Sequence, residues 1–73
     1  MAFVDGGIMY RLTAHALQRM RRRRIHPAHV AAALENPTYK TMDGAQAYYD
    51  PASRVRVMVR NSTIVTIVRA KYA

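Results

Sequence analysis

Cysteine is absent from this chain, which excludes disulfides and thiolate metal sites and suits a reducing cytoplasm, the expected location. Acidic residues are scarce, four against twelve lysines and arginines. No apolar run approaches the ~18–20 residues that a membrane-spanning helix needs. The opening "MAFVDGG" lacks both a basic n-region and a long apolar h-region, so a signal peptide is not expected. Internal repeats and low-complexity linkers are missing too. So are a Walker loop, a recognisable Ser-His-Asp set and a pair of neighbouring carboxylates.

What remains is small and strongly basic. Seventy-three residues make one domain. A chain of this size buries only roughly 60% of the surface its unfolded form exposes, so the core is thin. The formal charge of +8 attracts polyanions. RNA is the first expected partner, an acidic protein such as an antitoxin the second. A membrane surface ranks below both, because no large aromatic or Leu-rich face accompanies the arginines.

Periodicity divides the chain. Residues 1–7 read as a loose, flexible leader ending in Gly6-Gly7, and residues 8–73 as a single domain. Ile8–Leu12 alternates as a short strand. Thr13 suits the N-cap of a helix from Ala14 to about Arg23, with Ala16, Leu17 and Met20 as its apolar stripe. Pro27 favours the start of a second helix, whose apolar face is Val30, Ala31, Ala33 and Leu34 and which Asn36-Pro37 stops. The period then changes to two. Thr38–Met42 reads as a short edge strand that can pair with a second copy in a homodimer. Asp43-Gly44 signals a turn, and strands follow over Ala45–Asp50, Arg54–Arg60 and Thr63 to about Lys71. The predicted fold is α+β: β-α-α, then a three- to four-stranded antiparallel sheet with the helices packed on one face.

The predicted two-residue loop Asn61-Ser62 fixes a register. Regular pairing sets Val59 opposite Ile64, Val57 opposite Thr66 and Val55 opposite Val68 on the core face. It sets Arg54 opposite Arg69 on a basic face shared with Arg56 and Arg60. Tyr48 and Tyr49 fall on opposite faces. A four-residue turn puts Tyr49 beside Arg54 and a three-residue loop puts Tyr48 there, so which of them can stack on a base stays open.

The stretch "TAHALQRMRRRRIH" carries five of the ten arginines. His15, Arg19 and Arg23 are spaced by four, so a helix places them on one face. A neutral imidazole can take the proton of a ribose 2′-hydroxyl, and guanidinium groups can hold the adjoining phosphate. Set against this catalytic reading is a plainer one, a half-buried His15 bonded to a strand carbonyl. Arg21, Arg22 and Arg24 either form a solvated helix end or track a phosphate backbone, and Arg54, Arg56, Arg60 and Arg69 pose the same choice on the sheet. His26 and His29 have no close carboxylate to complete a zinc site, so neither a metal nor another cofactor is expected. A helix-turn-helix reader is the weakest alternative. "PAHVAAALEN" would offer base edges little beyond His29, Glu35 and Asn36.

The segment from Thr13 to Pro37 resembles a small bacterial family catalogued as domain of unknown function 4258. His15, Ala16, Arg19, Met20, Arg23, Ile25, Asn36, Pro37 and Ile64-Val65-Thr66 match its pattern. The resemblance runs from Tyr10 to Val68 and implies a fold related to RelE-like and barnase-like ribonuclease toxins of toxin–antitoxin systems. His15, Arg19 and Arg23, which the helix spacing groups, all match the family pattern, and a metal-independent endoribonuclease with these three as catalytic residues is the expected activity. Three residues depart from the pattern. Arg24 stands where the family has Gly, at a position where a left-handed residue is common. Arg22 replaces a usually acidic residue, and His26 replaces a Ser that would cap the second helix. The alternative to an enzyme is a basic module that binds RNA or an acidic protein without cutting.

Overall fold

A computed structural model describes residues 2–40 and 44–70. Strand β1 (Ala2–Asp5) and strand β2 (Ile8–Leu12) are followed by helices α1 (Ala14–Arg22) and α2 (Pro27–Leu34). Strands β3 (Pro37–Lys40), β4 (Gln46–Asp50), β5 (Val55–Arg60) and β6 (Thr63–Arg69) complete an α+β domain. The six strands form one sheet in the order β1-β2-β6-β5-β4-β3. The expected Asp43-Gly44 turn, residues Thr41 and Met42 of the edge strand, and Lys71 at the end of the last strand lie partly or wholly outside the described residues.

The sheet has six strands rather than the expected three or four, and two features account for the difference from the expectation. Residues 2–5 are a strand rather than a loose leader. Gly6 and Gly7 have φ of 57° and 80°, the pair of positive angles that a two-residue I′ hairpin turn requires, and Phe3 packs against the core. The sheet is also mixed rather than purely antiparallel. Leu12 and Ile64 are register partners in a parallel pairing of β2 with β6, while every other neighbouring pair is antiparallel. The meander β3-β4-β5-β6 ends beside β2 running in the same direction, and the two helices carry the chain across.

Both helices form where their signals stand. The Thr13 hydroxyl accepts from the Ala16 N–H at 3.0 Å and caps α1. His26 takes over the capping role of the expected Ser, its Nδ1 accepting from the Ala28 N–H at 3.0 Å. Ala16 and Met20 from α1, Ile25 from the connection, and Val30, Ala33 and Leu34 from α2 share one core with Tyr10, Leu12, Val55, Val57, Val59, Ile64 and Ile67.

The α1–α2 connection is a Schellman closure. Ile25 N–H donates to the Met20 carbonyl at 2.9 Å and Arg24 N–H to the Arg21 carbonyl at 3.4 Å, while Ile25 and Met20 are both buried. Arg24 occupies the left-handed position with φ of 53°. A side chain there costs on the order of 1 kcal/mol against glycine. Arg24→Gly should therefore raise stability by up to ~1 kcal/mol, which for a domain this small is a rise in Tm of about 4–8 °C in a thermal melt. A lower Tm would contradict the closure.

The β5–β6 hairpin begins as its turn demands. Asn61 and Ser62 have φ of 49° and 59°, Arg60 faces Thr63 and Val59 faces Ile64. A β-bulge then adds one residue to β6. Met58 faces Thr66, Val57 faces Ile67, Arg56 faces Val68 and Val55 faces Arg69. Regular pairing would have put Thr66 and Val68 on the core face. The bulge puts Ile67 there instead, fully buried beside Val57.

The bulge has a visible anchor. The Thr13 hydroxyl lies 3.2 Å from the Ile64 carbonyl and 3.3 Å from the Val65 carbonyl, and the Thr13 N–H also donates to Ile64 at 3.3 Å. One residue thus caps α1, ends the β2–β6 ladder and donates to the carbonyls at the bulge.

Candidate RNA-binding and acid–base site

The bulge decides what stands beside α1. Thr66 leaves the place opposite Val57 and meets His15, with 3.3 Å between Thr66 Oγ1 and His15 Nε2. His15 is exposed at the second position of α1, so it is neither half-buried nor bonded to a strand carbonyl. Its Nδ1 has no partner among the described residues. Arg19 lies one turn further along α1, half-buried, and Arg23 is the exposed C-cap. The side chains of Arg19 and Arg23 meet no carboxylate among the described residues. Arg21, Arg22 and Arg24 are exposed around the end of the same helix.

The four sheet arginines do not share a face. Arg56 and Arg60 alternate with the buried Val55, Val57 and Val59, and so lie on the sheet face away from the core. Arg69 is paired with Val55 through the bulge, on the core side of the sheet. Arg54 is not in a strand. It ends the turn Pro51–Arg54 with φ of 62°, its N–H donating to the Asp50 carbonyl at 2.7 Å. The expected contact of Arg54 with Arg69 as register partners is therefore replaced by the pair Val55 and Arg69.

The tyrosines are resolved by the same turn. Asp50 faces Val55, so Tyr49 faces Arg56 and Tyr48 faces Val57, packed against the core. The Arg56 guanidinium carbon lies 5.5 Å from the centre of the Tyr49 ring. That cation–π contact covers one face of the ring. Tyr49 is half-buried, and its hydroxyl is buried without a hydrogen-bond partner, as is Arg56 Nε. Tyr49 offers a base far less stacking surface than an uncovered ring would.

One cleft gathers residues that are far apart in sequence. His29 from α2, Asp50, Ala52, Ser53 and Arg54 from the β4–β5 turn, and Arg69 from the end of β6 line an open depression of about 400 Å³. Here the fold does bring a Ser, a His and an Asp together. Their order is wrong for a nucleophilic triad, because Ser53 Oγ donates to Asp50 Oδ2 at 2.6 Å and makes no bond to His29. Ser53 N–H donates to the same oxygen at 3.2 Å. These bonds from Ser53, with smaller help from Ala52 and His29, hold the Asp50 carboxyl below its ordinary value. The spacing of His29 and Ser53 gave no sign of this cleft. It exists only because α2 packs on β4 and β5.

Among the described residues no group of three or more His, Asp or Glu side chains is placed to hold a metal ion, and no helix is long and apolar enough to cross a membrane. Compared with protein-family models, curated proteins and solved structures, the chain shows no significant match. The resemblance to domain of unknown function 4258 rests on its motif residues alone.

Proposed function

We propose that this chain is an RNA-binding, toxin-like endoribonuclease domain in which His15 is the base and Arg19 and Arg23 hold the scissile phosphate. The observation that carries this is an exposed imidazole, in contact with Thr66, on the same helix as two guanidinium groups that meet no carboxylate among the described residues. In the tautomer with its proton on Nε2, His15 donates to Thr66 Oγ1 and the lone pair on Nδ1 is the proton acceptor. Thr66 is then a positioning residue that orients the imidazole ring.

The chemistry needs no metal. Nδ1 takes the proton of the ribose 2′-hydroxyl as that oxygen attacks the adjacent phosphorus. The bond from phosphorus to the 5′-oxygen breaks, and that oxygen takes a proton from water. The fragments carry a 2′,3′-cyclic phosphate and a 5′-hydroxyl. Arg19 and Arg23 neutralise charge on the phosphoryl oxygens as it grows.

A second reading has its own support. Arg56 and Arg60 lie on the other face of the sheet from the core that α1 packs against, so cationic surface extends beyond the His15 site. A non-catalytic module that binds RNA or an acidic protein would use that surface as well.

Both RNA readings require an electrostatic grip. If four of the arginines in and just past α1 contact phosphates, log K should fall with log salt at a slope of roughly −3, from about −0.7 per contact on a single strand. Between 50 and 200 mM salt that is roughly a fiftyfold loss of affinity, measurable by fluorescence anisotropy with a labelled oligonucleotide. A flat salt dependence, or no binding at low salt, would remove RNA as the ligand.

A further inference from the structure

The two edges of the sheet are built differently. Strand β3 begins at Pro37, ends at Lys40 and shifts register between Pro37 and Tyr39. Proline, lysine and a bulge are devices that keep an edge from pairing with another chain. The edge that the sequence offers for a homodimer is thus the guarded one. Strand β1 at the opposite edge, Ala-Phe-Val-Asp, has none of the three devices. The β1–β2 hairpin also projects. In β2 only Arg11 and Leu12 have register partners in β6, so residues 8–10 and the part of β1 paired with them run beyond the neighbouring strand. A two-stranded ribbon by itself is marginal in water. Among the described residues, the exposed large apolar side chains all stand on this ribbon, Val4 at 63%, Ile8 at 51% and Met9 at 68%. Val4 and Met9 are register partners and so share one face.

Charge names the occupant of this edge. All twelve lysines and arginines lie at Arg11 or beyond it, and residues 2–10 carry Asp5 as their one charged group. RNA or an acidic protein gains more from the arginine-rich surfaces than from this one. For a second copy the order reverses. Two molecules of formal charge +8 repel wherever their cations meet, and the hairpin is where neither presents one. We propose that the chain forms a symmetric dimer in which β1 pairs antiparallel with β1 of a second copy, with Val4 on the twofold axis. The ladder allows this register. Asp5 and Ile8 flank the two-residue turn as a hydrogen-bonded pair, so the alternation turns the Val4 N–H and C=O away from β2. On the axis those groups bond to their own counterparts. The sheet becomes continuous, and Met9, Val4, the partner's Val4 and the partner's Met9 form one apolar row across four strands. The contact is self-complementary and small, so the dimer depends on protein concentration. It does not depend on the RNA reading.

Sedimentation velocity over a series of protein concentrations tests the dimer. A monomer–dimer equilibrium that tightens as salt rises is expected, because salt screens the repulsion between like-charged copies. RNA binding through the arginines has the opposite salt dependence. Val4→Lys should weaken the dimer at least tenfold. A monomer at every concentration and salt, or a dimer indifferent to Val4→Lys, would overturn the proposal. Cross-linking tests the register whether or not that variant folds. The chain has no cysteine, so Val4→Cys places the one thiol of each copy beside its twin. Mild oxidation should join Val4→Cys at least tenfold faster than Met9→Cys, whose two copies stand three strand spacings apart, about 14 Å. Equal rates would contradict Val4 on the axis. A monomer whose Val4 and Met9 NMR signals move on titration with an oligonucleotide, or with vesicles of anionic lipid, would overturn the dimer and give the hairpin to that ligand.

Discussion

His15→Ala should lower the rate of RNA cleavage about 10²- to 10⁴-fold, the usual worth of a general base, while leaving RNA affinity nearly unchanged. The side chain is exposed and its one hydrogen bond is to Thr66, so the fold should survive. Arg19→Ala should weaken rate and binding together, because a phosphate contact acts in both. Thr66→Val should lower kcat less than His15→Ala does and leave KM nearly unchanged, since it removes the group that orients the imidazole. Equal loss of affinity and rate in His15→Ala would make this histidine a binding residue. An unfolded His15→Ala protein would make it a structural one.

The second large effect concerns the bulge. Ile67→Ala should cost about 2–5 kcal/mol, the range for truncating a fully buried isoleucine. For a domain of this size that is a large part of total stability. A regular hairpin would put Ile67 on the outer face, where truncation costs within about 0.5 kcal/mol. It would put Thr66 inside, where Thr66→Val removes a buried hydroxyl and stabilises. Urea titrations of the two variants decide between the registers, with a large loss for Ile67→Ala and a small change for Thr66→Val expected here.

How far the sequence speaks depends on the range of the interaction. The helices are encoded locally, by a capping Thr13, an apolar stripe at Ala16 and Met20, and Pro27 at a helix start. Arg24 is legible as left-handed because it stands just past the last turn of α1. Asn61-Ser62 likewise fixes the first two pairs of its hairpin. The bulge is not legible, because the Thr13 hydroxyl that satisfies its carbonyls is 51 and 52 residues away from them. The parallel pairing of β2 with β6 is equally non-local. β1 had a local signal in Gly6-Gly7, but Val4, Ile8 and Met9 are largely exposed, so the usual alternation of buried and exposed positions is weak there.

The same rule holds for function. His15, Arg19 and Arg23 are near neighbours on one helix, so their spacing alone groups them. Thr66 enters that group only through the bulge. The arginine face drawn from regular alternation dissolves because the Pro51–Arg54 turn takes Arg54 out of its strand and the bulge changes the phase of β6. His29, Arg54 and Arg69 meet across three elements, and no spacing between them could have marked a cleft.

Incubation of the purified protein with a short RNA in EDTA, with analysis of the fragment ends, asks the functional question most directly. We expect fragments bearing a 2′,3′-cyclic phosphate and a 5′-hydroxyl, formed by the wild-type protein and not by His15→Ala prepared in the same way. RNAs of varied sequence left intact by a folded protein, in EDTA and in magnesium alike, would contradict the proposed enzyme and leave a basic binding module in its place.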